Sequence, residues 1–356
     1  MLNSFMKTDI KEFSREELIS WLDGRGIKEY RADQILKWVY KRHADSFDVM
    51  TDLKKEFRVL LSSHFDIRRL WRIRTETSRD GSTKDLYKLE DGEHIESVLI
   101  PERDHYTLCI SSQAGCAQGC VFCLTGKAGF RRNLTAGEII AQVRDVGNRN
   151  PENGKRLTNI VLMGMGEPLA NYHNVVKALN VITNNDFGLA FSNRKVTVST
   201  AGLASRLLNL GHDTAVNIAI SLNATDNATR DRLMPVNRAY PLGKLLEACR
   251  EYNLRPGRMI TFEYILLKGI NDSIQDAKRL VKMLRPLRSK VNLIPFNEHS
   301  GSGFTRPGEA EILKFQEILH QNNYTAIIRQ SKGLDISAAC GQLSASMTEK
   351  KALLLS

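Results

Sequence analysis

From Leu108 to Arg329, short apolar runs rich in β-branched residues alternate with stretches whose apolar positions recur at helical spacing. The runs are "TLCIS", "NIVLMGMG", "KVTVST", "VNIAISL", "MITFEYILL", "KVNLIPF" and "TAIIRQ". Each is bounded by small or polar residues, and each is predicted to be a strand. Between them, "SIQDAKRLVKMLRPL" places Ala277, Leu280, Val281 and Leu284 on one helical face behind a cap within Asn271 to Ser273. "PGEAEILKFQEILHQNN" does the same with Ile312, Phe315 and Leu319. Serial strand and helix units predict a parallel sheet covered by helices. Six or seven such units predict an α/β fold built as a full or partial (β/α) barrel.

The opening of the chain is patterned differently. "SREELISWLDGRGIKEYRADQILKWVYKRH" predicts two short helices around the turn "DGRGI", and "DLKKEFRVLLSSHF" a third. Residues 66–101 predict strands, with turns at Asp80-Gly81 and Asp91-Gly92. The chain is therefore divided into an accessory unit over 1–95, helical and then hairpin, a barrel core over 96–335, and a C-terminal segment over 336–356. Two units of this kind suit a chain of 356 residues. Helix-turn-helix geometry with basic flanks suits a nucleic acid backbone, and it is equally a common way to build a small accessory domain.

Composition narrows the setting. The N-terminus "MLNSFMKTDIKEF" has no apolar leader core, and no run reaches the roughly 18 apolar residues of a membrane span. A soluble, cytoplasmic protein with no membrane partner is expected. Six cysteines are too few for a disulfide scaffold, so clustered ones point to metal binding or catalysis. The net charge of +11 points to a polyanionic partner.

Three of the cysteines, Cys116, Cys120 and Cys123, fall within "SQAGCAQGCVFCLTGKAGF", just after a predicted strand. A structural zinc site takes four ligands, usually as two separated pairs. No second pair exists, and the nearest histidines are His105 and His173. A 4Fe-4S cluster held by three thiolates keeps one iron open for another ligand. Gly115, Ala117 and Gly119 suit a backbone passing close to a bulky cofactor, and Phe122 can shield one side of it. The competing reading is a zinc knuckle, which would make this a non-enzymatic RNA-binding protein.

"CAQGCVFC" is similar to the cysteine motif of the radical S-adenosylmethionine (SAM) enzymes. With "LMGMGEPLANY", "LMPVN", "LKGINDS", "VNLIPFN", "GLDISAACGQL" and "YRADQILKWVY", the chain resembles the RlmN/Cfr group of RNA adenosine methyltransferases along nearly its whole length. "GFRRNLT" and "GEPLAN" favour the RlmN type, which methylates carbon 2 of adenine, over the Cfr type, which methylates carbon 8. Leu124 and Asn223 depart from the pattern, which has alanine and histidine there. An electrophilic SAM methyl and an electrophilic adenine carbon are mismatched for polar transfer, so the one-carbon unit has to be carried in another form.

The resemblance implies a (β/α) barrel, a 4Fe-4S cluster on Cys116, Cys120 and Cys123, and two SAM molecules per turnover. It implies that Cys340 is methylated and carries the carbon to the base. Cys109 then resolves the covalent adduct by disulfide formation, and Glu96 is the general base. SAM would be held by Gly166 and Glu167, by Ser199, by Ser221 with Leu222 and Asn223, and by Asn297. These positions fall at successive strand ends, where parallel barrels bind ligands. The implied substrates are adenosine 2503 of 23S rRNA and adenosine 37 of tRNA. The implied electron donor is of flavodoxin type, and a monomer is expected. "RRLWRIR" around Trp71, and Lys127, Arg131 and Arg132 after the cluster motif, suit phosphates and unstacked bases. A rival enzyme reading is a radical SAM activase or isomerase acting on a protein or small molecule, which would need neither Cys340 nor Cys109. Cys249 reads as a core residue.

Overall fold

The computed structural model describes residues 7–147, 155–299 and 302–345. One ten-stranded sheet dominates it. Its strands are β1 (Trp71–Thr77), β2 (Thr83–Lys88), β3 (His94–Pro101), β4 (His105–Cys109), β5 (Arg156–Leu162), β6 (Val196–Thr200), β7 (Asn217–Ser221), β8 (Ile260–Leu266), β9 (Ser289–Pro295) and β10 (Ala326–Ile328). They lie side by side in chain order. From β4 to β10 every pairing is parallel. The seven parallel strands are those read from the apolar runs, and the sheet is open, with β1 and β10 at its edges. This is a partial (β/α) barrel.

The connecting helices bury the faces that their spacing dictates. In Ile274–Leu284, Ala277, Leu280 and Leu284 are buried, and Ser273 with Asp276 forms a reciprocal cap at the N-terminus. In Glu309–Gln321 the buried residues are Ile312, Phe315 and Leu319. Each of these leucine, isoleucine and phenylalanine side chains contributes about 1.5–3 kcal/mol on leaving water. Cys249 is buried at 3% exposure on Leu242–Glu251, as a core residue.

Three helices open the chain, α1 (Arg15–Asp23), α2 (Tyr30–Tyr40) and α3 (Lys55–His64). The end of α2, the turn after it and the turn before α1 are tied to α4 (Ala136–Gly147) of the barrel. The Arg144 side chain of α4, 1% exposed, donates to the carbonyls of Val39 at 3.0 Å and Ala44 at 2.6 Å and pairs with Asp45 at 2.9 Å. The amide of Gly137 donates to Glu12 at 2.9 Å.

Strands β1 to β3 form an antiparallel meander that joins the barrel edge through β3 and β4. Residue 95, the boundary read from the sequence, lies within β3, because the meander hydrogen-bonds onto β4 and makes one continuous sheet. Of the C-terminal segment 336–356, residues up to 345 are described and the rest lies outside the described residues.

Candidate active site

The cysteine loop follows β4. A short antiparallel pair, Gln113–Gly115 with Phe130–Asn133, closes its base. The loop depends on glycine at Gly115, which has φ +72°, and a Cβ there would come within 1.9 Å of the Gly129 carbonyl oxygen. The amide of Cys116 donates to that same oxygen at 2.9 Å. Cys116, Cys120 and Cys123 all open onto one cavity at the C-terminal ends of the strands.

That cavity also receives Cys109 from the end of β4 and Cys340 from the C-terminal segment. Cys340 has surface of its own, which faces the cavity. The carrier segment is pinned beside the cysteine loop. The amide of Leu124 donates to the Gly341 carbonyl at 2.7 Å, and the Thr125 hydroxyl donates to the Leu343 carbonyl at 2.6 Å. On the meander side, the amide of Gly333 donates to Asp80 at 2.8 Å.

Burial pushes the Cys109 thiol up to about 12. The neighbouring Cys340 adds to that, and the Met163 amide and the Arg329 charge oppose it. Burial also raises the Cys340 thiol, and Arg329 opposes the rise. Both thiols are therefore held protonated at rest and are weak nucleophiles until something withdraws a proton.

Gly166, Glu167, Ser199, Ser221 and Asn223 line the same cavity. Gly166 has φ +98°, and a Cβ there would clash with the Cβ of Gln113 at 2.5 Å. The carboxylate of Glu167 accepts from the amides of Leu169 at 2.9 Å and Ala201 at 2.6 Å. Burial nonetheless raises its pKa to about 7. Asn223 adopts the left-handed region at φ 57°, which asparagine tolerates better than most side chains. Its Nδ2 donates to Met234 Sδ at 3.3 Å, and its Oδ1 accepts from the Ile265 amide at 2.8 Å. Leu222 points into the core at 0% exposure, and Asn297 is buried at 6%. Neither is among the residues that line the cavity.

Glu96 lies on β3 and is 1% exposed. Its Oε2 accepts from the amides of Ser344 at 2.9 Å and Ala345 at 3.0 Å, and its Oε1 lies 3.4 Å from Lys84 Nζ. The carboxylate thus clasps the carrier segment just beyond the cavity wall. Several basic residues singled out from the sequence are engaged in ion pairs. Arg68 meets Glu90, Arg69 meets Asp45, and Arg132 meets both Asp91 and Glu138. Trp71 is 66% exposed with Lys88 over its ring, and Phe130 is 44% exposed. The sequence reading missed Glu263, a buried carboxylate on the cavity wall. Its only signal is one acidic residue inside the apolar run "MITFEYILL".

A partial barrel with a Cys-x-x-x-Cys-x-x-Cys loop after its first parallel strand defines a radical SAM enzyme. Comparison with known proteins agrees: residues 110–281 match the radical SAM superfamily, and residues 8–67 match the ribosomal RNA large subunit methyltransferase N-terminal domain. The chain is 57% identical over 346 residues to the dual-specificity RNA methyltransferase RlmN of Desulfosudis oleivorans, covering 97% of this chain and 93% of that one. It is 53% identical to the RlmN of Geobacter sulfurreducens, covering 94% and 91%. A crystal structure of a radical SAM methyltransferase from Sphaerobacter thermophilus superposes with a TM-score of 0.89 at 42% identity, covering 95% of this chain and all of that one. The chain belongs to the RlmN family of radical SAM methyltransferases, whose cofactors are a 4Fe-4S cluster and SAM.

The residues present fit that pair of cofactors. Among the described residues, no three histidine, cysteine or acidic side chains are grouped to hold a single metal ion. Three thiols spread around one cavity instead suit a larger body whose irons each take one thiolate. This disfavours the zinc-knuckle reading. Burial raises the thiols of Cys116, to about 12, and of Cys120. Ligation by iron would deprotonate them outright.

Proposed function

We propose that the protein methylates carbon 2 of adenosine in RNA, at adenosine 2503 of 23S rRNA and adenosine 37 of tRNA, through a carbon carried on Cys340. The observation that carries this reading is that Cys340 and Cys109 share one cavity wall with the three loop cysteines. A radical SAM activase would need no such pair. The printed names of the relatives, dual-specificity RNA methyltransferases, support RNA as the substrate class.

In this reading Cys116, Cys120 and Cys123 hold the cluster, while Gly166, Glu167, Ser199, Ser221 and Asn223 hold SAM, with Leu222 and Asn297 packed behind the cavity lining. When bound, the cluster and SAM supply the methyl group and a 5′-deoxyadenosyl radical. Cys340 bears the methyl carbon and presents it to the base. The Cys109 thiolate attacks the sulfur of Cys340, the S–C bond to the transferred carbon breaks as the disulfide forms, and that carbon takes a proton to become the product's methyl group. Glu96 takes the proton from the substituted ring carbon once the carrier segment lets go of its carboxylate. Trp71, Phe130 and the basic stretches around them contact RNA, and the N-terminal helices extend that surface. A flavodoxin-type protein supplies electrons.

Nucleoside mass spectrometry of RNA from cells with and without the gene tests the reading. Gene-dependent 2-methyladenosine in rRNA and tRNA is expected. Gene-dependent 8-methyladenosine, or no RNA change at all, would overturn it.

A further inference from the structure

Two carboxylates line the cavity, and they have different neighbours. Both oxygens of Glu167 are occupied by backbone amides, and its charge is felt by Cys116 and Cys120 of the cluster loop. Glu263 stands in a row across three strands, in register with Ser221 on β7 and Asn292 on β9. Its charge is felt by Cys340 and Arg329. One carboxylate therefore serves the cofactor side, and the other faces the carrier thiol.

Glu263 is 5% exposed. Its Oε1 accepts from Asn292 Nδ2 at 2.9 Å, whereas its Oε2 is buried and has no hydrogen-bond partner among the described residues. A buried carboxylate oxygen without a donor is expensive, costing more than an unpaired neutral group, and such groups persist where a ligand completes them. The group that must arrive beside Cys340 is the acceptor base. Within an RNA strand, the adenine ring offers a single hydrogen-bond donor, its 6-amino group, and its ring nitrogens only accept. A carboxylate oxygen accepts and cannot donate when ionised.

We propose that Oε2 of Glu263 accepts a hydrogen bond from the 6-amino group of the substrate adenine, and so makes Glu263 a specificity-determining residue that holds the base against Cys340. The inference rests on the RNA adenosine reading given above. Asn292 fixes the carboxylate through its other oxygen, so the free oxygen is presented in one orientation. A site built this way rejects an analogue lacking the donor, because the buried acceptor is then left unpaired.

The test uses the full-length, cluster-loaded enzyme on two RNA fragments of one sequence, carrying either adenosine or purine riboside at the target position. The second lacks only the amino group. Methylation of Cys340, read by peptide mass spectrometry, is measured alongside methylation of RNA. For the wild type compared with Glu263→Ala, the ratio of adenosine to purine riboside turnover is expected to fall by at least about 30-fold, with Cys340 methylated to the same extent. In Glu263→Gln, Asn292 retains the amide oxygen and the amide NH2 faces the cavity. This isosteric variant should lose adenosine turnover and keep that of purine riboside. An unchanged ratio in both variants would overturn the assignment. So would an equal loss of Cys340 methylation and RNA methylation, which would place Glu263 at the thiol. A wild type that methylates Cys340 but no adenosine RNA would overturn the functional reading, and this inference with it.

Discussion

The amide of Leu124, next to the last cysteine of the cluster loop, donates to the carbonyl of Gly341, next to the carrier cysteine, at 2.7 Å. One backbone bond thus sets the register between the three-cysteine loop and the segment bearing Cys340, the proposed carbon carrier. Thr125 and Leu343, one and two residues further on, add a second contact that fixes where Cys340 lies.

Removing the carrier thiol should stop the reaction altogether. Cys340→Ala is expected to lose more than about 10³-fold in RNA methylation, as for other residues that form the covalent intermediate. Cluster content should be unchanged. Cys109→Ala should fail later, leaving enzyme covalently joined to RNA, seen as a protein band shifted on a denaturing gel and collapsed by ribonuclease. Turnover by Cys340→Ala would refute the carrier role.

Glu96 either clasps or catalyses, and one substitution separates the two. Glu96→Gln keeps an acceptor oxygen for the Ser344 and Ala345 amides. It should leave the segment ordered while lowering RNA methylation by about 10²-fold, as general-base removal does. Glu96→Ala should in addition make the segment sensitive to limited proteolysis. Full activity in Glu96→Gln would confine the residue to the clasp.

Gly115 has no room for a side chain. Gly115→Ala places a methyl 1.9 Å from the Gly129 oxygen at a left-handed φ, a combination that costs at least about 1–3 kcal/mol of backbone strain alone. Iron bound per chain after anaerobic reconstitution should fall severalfold. Gly147→Ala, where nothing lies within 4 Å among the described residues, is the control.

Glu167 predicts a pH effect on the cofactor-free protein. Its folded pKa, about 7, exceeds the ordinary 4.5 because burial outweighs the Ala201 and Leu169 amides and the Thr200 hydroxyl. The folded state thus favours the neutral acid. This contribution is fully present below pH 4.5, is lost as pH rises to about 7, and is flat above that. The difference amounts to about 3 kcal/mol. Across that window, the thermal midpoint of the wild type should decline relative to that of Glu167→Gln. Parallel curves would show that Glu167 titrates normally.

Much of this was readable along the chain, and for identifiable reasons. The seven parallel strands announce themselves because most of their residues are buried or half-buried, β8 most completely, so β-branched residues run nearly unbroken. Cys116, Cys120 and Cys123 stand out because their partners are local. Glu263 did not stand out: a single acidic residue in an apolar strand gains meaning only when Asn292, Cys340 and Arg329 converge on it from other strands and from the C-terminal segment. The clasp of Glu96 on Ser344 and Ala345 spans 248 and 249 residues and leaves no periodic trace. The basic stretch "RRLWRIR" looked free because charge is visible in sequence and pairing is not, and the partners Asp45 and Glu90 lie more than twenty residues away.

The buried guanidinium of Arg144 has one more consequence. It rivets α2 and the turn after it to α4 through main-chain oxygens, which no rotamer change on the acceptor side can release. The helical unit and the barrel are thereby welded into a single anvil. Under the proposed function, an RNA that spans both would meet a preset surface, and the strain of exposing the target base would fall on the nucleic acid.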